Sequence, residues 1–392
     1  MITLSPAAVA ARREIAPEPT PAQRRPPLPA LTGLRFLAAL YVVFYHFGPY
    51  PQLHLLPGPV RALQIALWNT GGSGFVGVNL FFLLSGFILA YTYLGDAHAR
   101  GGWRAFYVAR VARIYPVYVF ALAVAIAVRC LNHATLTLAD APGLLSTLTL
   151  TQGWRVVNAV AWNPPAWSLS VEAFFYLSFP ILAVLIARLR ARLLVPLLGA
   201  LWAFAMLAPL VWLLRTGTPA APFLTNHPLV RLPEFLIGVI VGLLFMRSPR
   251  PSRHITHVPA VTLCAIVAVL ATLPVSLYPF LQVGLLDPLF AILIYSLAFS
   301  RGRLAAVLSA PLMILLGEAS YALYMLQGPG YEWLVGLLHV SPIGTRYSLA
   351  FFLDYLVIIV IVAMLTLRLV EQPARRAIRH RYDAATAHKV SR

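Results

Sequence analysis

Arg35 and His46 stand eleven residues apart in an otherwise apolar stretch, TGLRFLAALYVVFYH. At about 100° per residue this interval comes within about 20° of whole turns, so both side chains share one helical face. The rise between them is about 16 Å. A guanidinium offers a permanent positive charge and a fork of donors suited to phosphate or carboxylate. An imidazole near neutrality suits the task of taking a proton from a hydroxyl. Each residue also has a plainer reading: an arginine snorkelling to an interface, and a hydrogen-bonded core histidine. Their shared face on an apolar helix favours a lined cavity.

Other residues are also costly to place in lipid. Arg110 and Arg113 lie three apart, on one helical face at the cytoplasmic end of a predicted span. Such a pair suits phosphates, although ordinary anchoring by loop arginines gives the same pattern. Glu172 ends WSLSVE and leads into an apolar run after Asn163-Pro164-Pro165, where a helix-dipole role is the simple alternative. Arg231 and Glu234 in RLPEFLIG read as a structural i, i+3 ion pair. Asp287 and Glu318 have no evident partner in sequence. Cys130 and Cys264 fall in or beside apolar runs without metal or disulfide spacing, and are expected as buried small hydrophobes.

The elements that must hold these residues are membrane helices. Of 392 residues, 60% are hydrophobic and only 11% charged, against about a quarter charged in soluble domains. A soluble chain of this length lacks the interior to hide so much apolar surface. Within lipid, each backbone group must be satisfied inside its own segment, so long apolar runs become helices. The expected fold is therefore all-α: a polytopic integral membrane protein of about ten spans. These fall near 31–50, 73–94, 110–131, 168–187, 193–214, 229–246, 257–275, 280–300, 312–338 and 347–370. The ninth passes Gly317-Glu318 and Gly328-Pro329-Gly330, which predicts a broken or re-entrant helix.

The formal net charge is +18, with Lys389 the sole lysine. The arginines cluster between apolar runs, a pattern for anionic lipid headgroups and not for nucleic acid. On this layout 23 of the 30 basic residues fall on one side and 6 on the other, with Arg35 inside a span. The positive-inside rule then sets both termini in the cytoplasm. Residues 1–29, rich in Pro, Ala and Arg, are expected as a disordered cytoplasmic tail. They lack the apolar core of a cleavable leader. Residues 30–372 form the transmembrane domain and 373–392 a basic cytoplasmic tail. No second domain or internal repeat is evident.

In order along the chain, TGLRFLAALYVVFYH, GVNLFFLLSGFILA, ARVARIYPVY, PPAWSLSVEAFFYLSFP, RLPEFLIG and GEASYALYMLQGP resemble the membrane-bound acyltransferases of type 3. The resemblance covers nearly all of residues 31 to 372. Its most specific elements are the Arg35-to-His46 spacing, the Arg110/Arg113 pair and WSLSVE ending in Glu172. Two departures stand out. Where members often carry histidine late in the SYALYMLQ-like motif, this chain has Gln327, which weakens any role for that position. Some relatives also carry a soluble esterase-like domain after the helices, whereas this sequence stops at Arg392. Such a module is expected to be a separate protein.

The resemblance implies transfer of an acyl group, commonly acetyl from acetyl-CoA, to a hydroxyl on a sugar or other extracytoplasmic acceptor. It implies His46 as base, Arg35 as a holder of donor phosphate or of oxyanion charge, and Glu172 as a group orienting His46 or binding the acceptor. Arg110 and Arg113 become the CoA phosphate ligands. No metal is implied. The expected partners are acyl-CoA, a carbohydrate-bearing acceptor (envelope polysaccharide, glycolipid or glycosylated metabolite), the bilayer, and a separate esterase-like or polysaccharide-assembly protein. The expected site is the cell inner (plasma) membrane. A transporter or lipid flippase for an envelope precursor is the competing class, since intramembrane charges also mark substrate pathways.

Overall fold

A computed structural model of the chain describes residues 25–49, 59–94, 102–132, 135, 137–155, 160, 162–216, 225–248, 253–339 and 348–390. Among these residues the regular structure is helical, with no strand. In chain order the helices are α1 (Pro29–Phe47), α2 (Pro59–Gly72), α3 (Val76–Tyr93), α4 (Gly102–Leu131), α5 (Ala141–Leu148), α6 (Trp167–Ala187), α7 (Ala191–Thr216) and α8 (Pro228–Arg247). They continue with α9 (Val258–Thr272), α10 (Tyr278–Gln282), α11 (Asp287–Phe299), α12 (Arg303–Leu308), α13 (Pro311–Leu338), α14 (Leu349–Thr366) and α15 (Gln372–Val390).

Among the described residues, seven helices are long and apolar enough to cross a membrane, and a bent pair makes an eighth. Helices occupy all ten expected stretches, but two fall outside that set. α11 has only 13 residues. α13 has 28 residues, and Glu318 and Gln327 dilute its hydropathy. The bend lies between Val258–Thr272 and Val275–Gln282, which meet at 114°. Leu273 is extended there, as a residue before Pro274 must tend to be.

The expected break in α13 is absent: the helix runs on through Gly328-Pro329-Gly330. Pro329 has no N–H for the carbonyl four residues earlier, that of Met325. Asn163 Nδ2 donates to that oxygen at 2.9 Å, so the orphaned acceptor is satisfied from another segment. The Tyr355 hydroxyl likewise donates to the Gln327 carbonyl at 2.7 Å.

α3 forms the centre of the bundle, with 72% of its apolar window buried, whereas α7 is only 11% buried and faces outward. α3 crosses α8 very closely. A Cβ on Gly86 would overlap the Phe235 carbonyl, and one on Gly238 the Leu83 carbonyl. Small residues let membrane helices approach in this way. Gly317 of α13 meets the Thr32 carbonyl of α1 by the same device, which fixes the helix that carries Arg35 and His46.

One further expectation changes, and the two ends of the described chain add findings of their own. Cys130 and Cys264 are exposed and free, not buried; lipid provides the apolar surroundings that a soluble core would. Residues 1–24 of the expected tail lie outside the described residues, but order begins earlier than residue 30. Arg25 donates to the carbonyls of Tyr91 at 2.7 Å and Leu94 at 2.8 Å. Finally, the basic segment after residue 372 is helical and packs along α4. A five-residue π-helical turn, Leu367–Glu371, joins it to α14.

Candidate active site

Four of the five residues singled out from sequence meet in one cavity. Arg35, Arg110, Arg113 and Glu172 line it together with Ser85, Tyr176, Ser320, Tyr321 and Tyr324, on walls of Phe81, Phe82 and Leu89. Its volume is about 110 Å³, room for several waters or one small polar group. Each functional side chain comes from a different helix, apart from the two on α4. α4 starts eight residues before the predicted position. Arg110 and Arg113 therefore sit about 12 Å or more inside the helix, not at its mouth.

The cations are held unequally. Arg113 pairs with the buried Glu371, in the π-helical turn, and lies over the Tyr321 ring at 5.9 Å. Arg110 lies over the rings of Tyr93 and Tyr176, each at 5.7 Å, and its buried Nε has no hydrogen-bond partner. Glu172 accepts from the Ser85 hydroxyl at 3.4 Å and from the Tyr176 hydroxyl. Glu172 thus faces the arginines. The sequence expectation that it orients His46 does not match these bonds.

His46 lines no part of this cavity. It is half-buried at the other end of α1, and its Nδ1 lies 3.0 Å from Gln327 Oε1. Gln327 is completely buried, and its Nε2 donates to the Tyr324 carbonyl at 2.9 Å. That bond turns the amide so that its oxygen faces the imidazole, which must then donate from Nδ1–H. The lone pair is left on Nε2. Gln327, a departure from the family pattern in sequence, is therefore the group that sets the histidine's tautomer. The only sequence signal for it is a polar residue in an apolar motif.

A second ionic cluster lies behind the cavity wall. Arg231, Glu234, Asp287 and Asn79 are all buried. Arg231 meets Glu234 at 3.0 Å, as the i, i+3 spacing predicted, and donates to Asn79 Oδ1 at 2.9 Å. Its guanidinium lies over Phe82 at 5.2 Å and Trp167 at 5.9 Å. Asp287, without an evident partner in sequence, is an electrostatic neighbour of both Arg231 and Glu234. Glu318 is exposed. Among the described residues, no group of His, Cys, Asp or Glu side chains gathers to hold a metal ion.

The cavity gathers cations from several helices, and α1 carries the histidine beyond it. Residues 28–368 match the family described as an acyltransferase domain. The chain belongs to the type 3 acyltransferase family. Among curated relatives, "Acyltransferase MdmB" of Streptomyces mycarofaciens is 27% identical over 378 residues, 92% of this chain and 95% of that protein. "Putative peptidoglycan O-acetyltransferase YrhL" of Bacillus subtilis is 25% identical, over 89% of this chain and 55% of its own length. "Putative O-acetyltransferase SACOL0978" of Staphylococcus aureus is 22% identical, over 89% of this chain and 57% of its own. The chain thus spans almost all of the first relative and a little over half of the other two. No solved structure matches. This acyltransferase is a multi-pass membrane protein.

Proposed function

We propose that this acyltransferase moves an acyl group, acetyl in the first instance, from acyl-CoA to a hydroxyl on a sugar. The acceptor class is an envelope polysaccharide, a glycolipid or a glycosylated metabolite. The observation that carries the reading is the division of labour along α1. Arg35 lies among cations in the cavity, and His46, with its Nδ1 proton given to Gln327, lies about 16 Å further along the helix. A donor that carries its acyl group on a long arm, well away from its phosphates, suits that separation. The Bacillus relative's name gives peptidoglycan as its acceptor, which supports a sugar hydroxyl here.

In this mechanism Arg35, Arg110 and Arg113 hold donor phosphate by charge-assisted hydrogen bonds. His46 Nε2 takes the proton of the acceptor hydroxyl as its oxygen attacks the thioester carbonyl. The tetrahedral oxyanion collapses, the carbon–sulfur bond breaks, and the imidazolium returns the proton to the thiolate. Ester and free thiol result, with no net proton change. Glu172, bound to Ser85 and Tyr176, keeps the arginines apart and oriented. The arginine-rich loops face the cytoplasm, where acyl-CoA is made, and the bilayer is the plasma (inner) membrane.

The test uses purified protein in liposomes with labelled acetyl-CoA and a soluble glycan. His46→Ala is expected to lower transfer about 10²- to 10⁴-fold while inserting normally. Full transfer by that variant would remove His46 from the chemistry. Acceptor crossing the membrane without CoA release would instead mark a transporter.

A further inference from the structure

The cavity does not account for all the positive charge that converges on it. α15 packs along α4 and begins one residue after Glu371, the partner of Arg113. Positions 371, 375 and 379 lie four residues apart, one turn after another on the same helical face. Arg375 and Arg379 therefore continue from Glu371 along the face turned to α4. Arg375 is half-buried and Arg379 exposed. Arg375 is an electrostatic neighbour of Arg113, and Arg379 of Arg110, Tyr93 and Asp383.

The result is a file of five arginines, from exposed Arg379 through Arg375, Arg110 and Arg113 to Arg35. Three carboxylates accompany it: Asp383, Glu371 and Glu172. Two positive charges are left over, and the buried Arg110 Nε has no bond. Like charges held together in a low-dielectric bundle repel strongly unless an anion joins them. The Tyr93 and Tyr176 rings lie against the Arg110 guanidinium, and its Nε is left for that anion.

We propose that Arg375 and Arg379 form, with Arg110, an outer phosphate-binding strip that leads into the cavity. Clustered phosphates, as in a nucleotide pyrophosphate, are the ligand chemistry. Their source is the acyl donor, so this assignment rests on the acyl-CoA reading above. The strip engages the donor's outer phosphates, and the cavity arginines hold the phosphate nearest the acyl-bearing arm. A headgroup phosphate of an anionic lipid has the same chemistry and is the source to be distinguished.

The experiment places the full chain in nanodiscs of zwitterionic lipid, with coenzyme A and inorganic pyrophosphate as probes. Arg375→Gln/Arg379→Gln is expected to weaken binding of both probes about tenfold or more. Arg375→Lys/Arg379→Lys is expected to retain most of the affinity, which separates charge from folding. Unchanged affinity for both probes in the Gln pair would overturn the strip. So would a difference confined to retention of anionic lipid in discs that contain it, since the arginines would then serve headgroups. Pyrophosphate bound through these two arginines by a chain that transfers no acyl from acyl-CoA would uphold the strip and refute the donor.

Discussion

The molecule holds two ionic clusters on either side of one phenylalanine. Phe82 lines the cavity of Arg35, Arg110, Arg113 and Glu172, and its ring also lies against Arg231. In the cavity, guanidinium groups outnumber carboxylates and the side chains are part-exposed. Behind the wall, carboxylates outnumber the single guanidinium, and every member is buried. Both clusters contain the same residue types in the same membrane bundle. Charge excess combined with accessible space makes one a candidate binding site. The other ties α3, α8 and the start of α11 together and has no access for a ligand. An intramembrane charge is thus a functional candidate only when it faces space as well as lipid cost.

The sharpest way to break this contrast is to remove one carboxylate from each side. Glu234→Ala removes the buried 3.0 Å partner of Arg231 and is expected to cost about 3–5 kcal/mol of stability, seen as a large drop in detergent melting temperature. Glu172→Ala, in the cavity, is expected to melt near the native temperature while losing acyl transfer. Equal melting losses would show that the two clusters do not differ in kind. Next in size, Gly86→Ala sets a Cβ against the Phe235 carbonyl and is expected to cost about 1–3 kcal/mol, again in melting and not in donor affinity. Arg110→Gln should reverse that pattern: about a tenfold loss of donor affinity, measured by coenzyme A binding, with little change in melting.

The smallest effect lies outside both clusters. Asp140 accepts from the backbone N–H and hydroxyl of Thr137 at 2.9 and 2.8 Å. These bonds hold its carboxyl below the ordinary value of 3.8. A lowered value means that the contribution to folding is present above that ordinary range and lost as pH falls through the folded value. Backbone amide exchange at Thr137 and Asp140 should therefore quicken only in acid, and Asp140→Asn should flatten that dependence without altering transfer.

Much of the fold is legible in the sequence because membrane helices obey strong local rules. Arg35, Arg110, Arg113 and Glu172 can be chosen singly, since each is expensive in an apolar run. Their meeting cannot be read, because the cavity draws them from separate helices. The early start of α4 is hidden by the arginines themselves, which look like a loop boundary. Pro329 predicts a break because nothing in the sequence signals that Asn163, 162 residues from Met325, satisfies its carbonyl. Gln327 reads as a departure from a family pattern, yet its amide makes a bond that fixes the His46 tautomer. Arg231 and Glu234 are legible as a pair, because their partnership is local to one turn. Asp287 joins them only through packing.

The tie between Arg113 and Glu371 also has a consequence in time. Its two ends are 258 residues apart in the chain, so α4 is in the membrane long before its counter-charge has been synthesised. Until then a buried guanidinium faces the lengthening bundle unpaired. The π-helical turn that carries Glu371 follows α14, so translation must pass α14 before the pair can form. A ribosome that stalls between the two leaves α4 without the carboxylate that Arg113 meets in the finished chain.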